Sequence, residues 1–73
     1  MDKNSIRPWG KTELALAYTQ GFMSERSALN WLNTELSNYP GLMDKLKDLG
    51  YTRGQKILRI AQVKVIFEAL GEP

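Results

Sequence analysis

Arg26, Asn30, Asn33 and Thr34 recur at helical spacing in the stretch SERSALNWLNTEL, residues 24–36. Arg and Asn are side chains that hydrogen-bond base edges in the major groove, and Thr adds a hydroxyl and a methyl. These four are the DNA base-contact candidates. Arg7, Lys11, Arg53, Lys56 and Arg59 are the phosphate-contact candidates, because cations hold the nucleic-acid backbone without reading its sequence. The segment 51–64 carries Arg53, Lys56, Arg59 and Lys64 and no acid, a net +4. Each set has a plainer reading as well: a solvated polar helix face, and a loop kept soluble by its charges. Trp31 lies off the leucine stripe of the same helix and is an interface candidate, since Trp is enriched where proteins meet.

The means for catalysis are sparse. The chain has no cysteine and no histidine. That removes disulfides, thiolate chemistry, the commonest zinc ligands and the usual general base. Asp44 and Asp48 lie four residues apart on an expected helix, but Lys45 and Lys47 stand among them, as on an ordinary solvated surface. A chain of 73 residues can hardly enclose a small-molecule pocket. No enzyme, cofactor, metal site or small-molecule substrate is expected.

The bulk numbers bound the rest. An apolar fraction of 42% and a charged fraction of 25% are those of a globular domain. At this length only about 60% of the unfolded surface is buried on folding, so little stability is to spare. One domain over 6–73 is expected, after a flexible tail over 1–5. No apolar run can span a bilayer, and MDKNSIRPWG is too polar for a signal peptide, so a soluble cytoplasmic protein is expected.

Periodicity and punctuation supply the elements that must position the candidates. A first helix is expected over 13–20, capped by Thr12 and stopped at Gly21, with Leu14, Ala17 and Tyr18 on one face. The second begins at the Ser24 cap, with Leu29, Leu32, Leu36 and Ala28 coreward and Glu25 on their side. The third is expected over 40–49, with Pro40 at the first helical position and Leu42, Met43, Leu46 and Leu49 as its seam. Gly50 suits a left-handed stop that folds Tyr51 back onto Leu46. The last helix is expected over 60–70, with Val63, Ile66, Phe67 and Leu70 inward and Val65 on an outer flank. Ile6 and Trp9 are expected to anchor the N-terminal arm. Residues 5–8 and 55–58 are the extended candidates, and their pairing would bring the two basic segments together.

GKTELALAY, then LGYTRGQKIL, then QVKVIFEALGEP resemble a family of short bacterial proteins, the domain of unknown function 4248. The resemblance covers about residues 6–73 and implies a single domain with no activity to carry over. Two departures from the family pattern stand out. Asn30 and Thr34 occupy positions near which other members often carry Arg or Lys. Arg59-Ile60 stands where members tend to have Thr-Pro. The rhythm of TELALAYTQGFMSERSALNWL also resembles helix-turn-helix modules of the excisionase and MerR type, which implies that the second helix enters a DNA groove.

The expected fold is therefore mainly α, a small four-helix domain with a helix-turn-helix-like core, made winged-helix-like if the ribbon forms. The expected function is DNA binding by a small non-enzymatic transcriptional or mobile-element regulator, with double-stranded DNA as partner. The alternative is a protein-interaction adaptor or a homodimer, using Trp31 and Val65. No membrane partner is expected.

Overall fold

The computed structural model describes residues 6–73. The expected tail over 1–5, and Ser5 of the expected 5–8 strand, lie outside the described residues. The element order is β1 (Trp9–Gly10), α1 (Lys11–Thr19), α2 (Glu25–Asn38), α3 (Leu42–Asp48), β2 (Ile57–Leu58) and α4 (Ile60–Leu70). Four short helices enclose a leucine-rich core, and a two-stranded antiparallel ribbon closes one side.

The ribbon decides where α1 begins. Trp9 pairs with Leu58 and Gly10 with Ile57, and the Lys11 N–H donates to the Lys56 carbonyl at 2.7 Å. The pairing therefore joins 9–10 to 57–58, not 5–8 to 55–58. Gly10, extended by that pairing, is the N-cap, and Thr12 lies inside the first turn, not at its cap. Glu13 at the third helical position accepts the Gly10 N–H at 3.1 Å, supplying half of a capping box. At the other end Gln20 and Gly21 both adopt left-handed conformations, and the Gly21 N–H reaches back to the Leu16 carbonyl at 3.2 Å.

Ser24 caps α2 as its position predicts, with its hydroxyl accepting the Ser27 N–H at 3.2 Å. Ala28, Leu32 and Leu36 are fully buried and Leu29 is half-buried. Glu25 is exposed and does not share their burial, because it sits in the first turn before the helix meets the core. Helix α3 starts after Gly41, whose left-handed φ of 76° places Pro40 in the preceding turn, not at the first helical position. Leu42 and Leu46 are buried there and Met43 is half-buried, while Leu49 at the C-cap is exposed. Gly50 then turns the chain left-handed, and the Tyr51 N–H donates to the Leu46 carbonyl at 2.9 Å, the Schellman closure.

Helix α4 buries Val63, Ile66 and Phe67. An aromatic cluster joins it to the other layers. Trp9 and Tyr18 both meet Phe67 edge-on, at 6.3 and 6.5 Å between ring centroids. The Tyr18 hydroxyl donates to the Gly71 carbonyl and ties α1 to the end of α4. Trp9 thus anchors the N-terminal arm, whereas Ile6 stays exposed. Among the described residues no helix is long and apolar enough to cross a membrane.

Candidate nucleic-acid interface

Buried groups fix both ends of the loop between α3 and β2. Tyr51 is 6% exposed at its start, and Leu58 is fully buried just after it. Between them, Gln55 folds the loop onto itself. Its Oε1 accepts the Thr52 N–H at 3.3 Å, and its Nε2 donates to the Ile57 carbonyl at 2.7 Å. The same Nε2 donates to Gln62 Oε1. Gln62 is 1% exposed and joins three elements. Its Oε1 also accepts the Arg59 N–H at 3.0 Å, and its Nε2 donates to the Leu49 carbonyl at 3.0 Å.

Lys11 clamps the loop from the opposite side. It is 2% exposed, and its Nζ donates to the Arg53 carbonyl at 2.7 Å. The ammonium also lies 4.9 Å from the centre of the Tyr51 ring, a cation–π contact. Burial, and secondarily the Arg53 charge, lower the Lys11 pKa below its ordinary value. Burial likewise raises the Tyr51 hydroxyl, with Arg53 opposing part of that shift. This geometry makes Lys11 a strut beneath the loop. Its ammonium is committed inward and is not presented to a phosphate.

The clamped loop runs beside α2. One groove of about 280 Å³ is lined by Asn33 and Ser37 of α2, by Met43 and Lys47 of α3, and by Tyr51, Thr52 and Arg53. A second, of about 340 Å³, brings Leu29 of α2 together with Arg53, Gly54, Gln55 and Lys56 and with the first turn of α1. Leu29 and Asn33 are one turn apart, so the basic loop flanks one long edge of α2. Arg26, Asn30 and Thr34 are exposed on the adjoining outward face, and Asn33 is half-buried at its margin. The Thr34 hydroxyl donates to the Asn30 carbonyl at 2.9 Å, which leaves its lone pairs for other donors.

The remaining candidates divide. Arg53 and Lys56 are exposed and sit at the α2 edge. Arg59 is exposed at the start of α4, outside both grooves, and Lys64 is exposed one turn further on. Arg7 is engaged locally. Its guanidinium stacks 3.8 Å from the centre of the Trp9 ring and meets Glu13 at 3.1 Å. Hydrogen bonds from Arg7 and from the Gly10 N–H hold the Glu13 carboxyl below its ordinary range. Trp31 is half-buried and tilts against Tyr18 at 5.8 Å between centroids, so it covers the α1–α2 seam. Val65 is half-buried and lines a small cleft with Tyr39, Leu42 and Ala69. Among the described residues no cluster of carboxylates could hold a metal ion.

Sequence reasoning missed the glutamine pair that holds the loop. A signal was present: Arg59-x-x-Gln62 has the glutamine of a capping box without its Ser or Thr, so that glutamine must satisfy the helix start alone. Phe22, at 87% exposed in the α1–α2 turn, stands out from that connection.

No curated protein and no solved structure matches the chain. A family model does: the one described as Domain of unknown function (DUF4248) matches residues 5–73, and the chain belongs to that family.

Proposed function

We propose that this domain binds double-stranded DNA as a small non-enzymatic regulator, with α2 as its helix-turn-helix recognition element. Arg26, Asn30, Asn33 and Thr34 address base edges, and Arg53 and Lys56 hold phosphates beside them. The observation that carries the reading is the position of Arg53, which shares one groove with Asn33 and the other with Leu29, so the acid-free loop flanks the polar face of α2. Arg26 makes no ion pair among the described residues and adds a third cation to that side. Lys11 and Arg7 support the loop and the arm, and Arg59 plays at most a peripheral part. The alternative, protein docking through Trp31 and Val65, has less support, since the first packs on Tyr18 and the second lines a cleft.

The test is fluorescence anisotropy with a random-sequence duplex over a salt series. Two neutralised phosphates, one each at Arg53 and Lys56, give a slope of about −1.8 in log K against log salt. The double variant Arg53→Ala, Lys56→Ala lowers the slope magnitude by about 2, one unit per lost phosphate contact. Absence of measurable binding by the native chain at low salt refutes the proposal, as does an unchanged slope in the double variant.

A further inference from the structure

The groove between α2, α3 and the loop holds more than DNA binding uses. Its volume of about 280 Å³ lies near the lower bound of small-molecule sites. Burial separates its lining into a floor and a rim. Tyr51 and the half-buried Met43 and Asn33 form the floor, and the exposed Ser37, Lys47, Thr52 and Arg53 form the rim. No carboxylate lines it, so the two rim cations are not neutralised within the groove. It is open to solvent on one side, so a chain too short to enclose a pocket can still build it.

Two of its lining residues carry buried polar atoms without a hydrogen-bond partner: Asn33 Oδ1 and the Tyr51 hydroxyl. Tyr51 is 6% exposed, so bulk water does not reach that hydroxyl freely. Native interiors pair nearly all such groups, and an exception calls for a reason. Two exceptions on one groove share a reason if the groove has an occupant. They are also chemically complementary, because the hydroxyl can donate while the amide oxygen only accepts.

We infer that this groove binds a small amphipathic anion, a compact ring bearing one phosphate or carboxylate head and one hydroxyl. Lys47 and Arg53 hold the head, with Ser37 and Thr52 as hydroxyl donors. Met43 carries the body, and the ligand hydroxyl pairs with the two orphaned floor groups, donating to Asn33 Oδ1 and accepting from the Tyr51 hydroxyl. The inference does not rest on DNA binding, since Lys47, Ser37, Met43 and Tyr51 take no part in it.

The experiment is an amide-resolved NMR titration of the full chain with 4-hydroxyphenyl phosphate, 4-hydroxybenzoate, inorganic phosphate and phenol. Saturable shifts centred on the Asn33 side-chain amide, Thr52 and Arg53 are expected with the first two. Both should bind about tenfold or more tightly than inorganic phosphate or phenol, because each fragment alone satisfies only half the groove. A preference between the first two identifies the head. The pair Lys47→Ala, Arg53→Ala weakens binding about tenfold or more, the effect of losing charge-assisted contacts. Tyr51→Phe keeps the ring and removes only the hydroxyl, so it folds and yet binds more weakly. Absence of saturable shifts overturns the inference. So does inorganic phosphate binding as tightly as 4-hydroxyphenyl phosphate, or Tyr51→Phe binding as tightly as the native chain.

Discussion

Gln62 holds the 52–56 loop in place, and Gln62→Leu measures how firmly. The substitution keeps a side chain of comparable bulk, one bond shorter, and deletes three hydrogen bonds: from the Arg59 N–H, from Gln55 Nε2 and to the Leu49 carbonyl. At about 1 kcal/mol net for each neutral bond, the gross loss is about 3 kcal/mol. Arg59 and Leu49 are exposed residues, so water recovers part of what their backbone groups lose. The leucine also gains apolar burial at a site only 1% exposed. A loss of about 2 kcal/mol remains, which lowers the melting temperature of a domain this size by roughly 8–16 °C. Urea denaturation at pH 7, followed by circular dichroism, reads the free energy directly. Gln55→Ala and the double variant complete a cycle, with an expected coupling of about 1 kcal/mol because the two amides touch. A Gln62→Leu protein within about 0.5 kcal/mol of the native chain refutes the reasoning, since that is the scatter of inert surface changes. Strict additivity of the two variants refutes the claim that they act as one clamp.

Two further outcomes follow from the helix starts. Ser24→Ala removes the side-chain acceptor of the Ser27 N–H and costs about 1 kcal/mol, whereas Ser24→Gly costs only a few tenths, as thermal melts of the pair will show. The Glu13 carboxyl titrates below its ordinary value of 4.5 in the folded state, chiefly through its hydrogen bond from Arg7. Its contribution is therefore present above pH 4.5 and lost as pH falls through the lowered value. The urea midpoints of the native chain and Glu13→Gln should differ at pH 7 and converge toward pH 3. A difference that stays constant across that range removes the Arg7–Glu13 pair from the account.

Local signals were read well where one short segment contains everything that decides it. The Ser24 cap, the buried Ala28, Leu32 and Leu36 stripe, the Gly50–Tyr51 stop and the 60–70 helix each depend on neighbours within about two turns. Two of the errors, at Thr12 and Lys11, have a different origin in distant contacts. Thr12 has the right chemistry for a cap, but the ribbon extends Gly10 and starts the helix two residues earlier. Pro40 suits a first helical position, but Gly41 turns left-handed and delays α3. Lys11 carries a formal charge that reads as a surface cation, yet it lies under a loop 42 residues away in sequence. Among the candidate residues, exposure of Arg26, Asn30 and Thr34 follows from helical spacing alone. The half-burial of Asn33 does not, because it depends on the loop from Tyr51 to Arg53 that packs alongside.

The sequence by itself determined the four helices, the leucine seams, the absence of thiol and imidazole chemistry, and the concentration of unopposed cations in 51–64. These are properties of spacing and composition, and they survive whatever the chain packs against. Only the tertiary structure decided that the ribbon joins 9–10 to 57–58, that Lys11 points inward, and that Gln55 and Gln62 bind each other. It alone set Arg53 against Asn33 along one edge of α2. Apart from the Gln55–Gln62 pair, seven residues apart, those are contacts between segments distant in the chain. They are fixed by the register of two residues and by hydrogen bonds that no periodic pattern encodes.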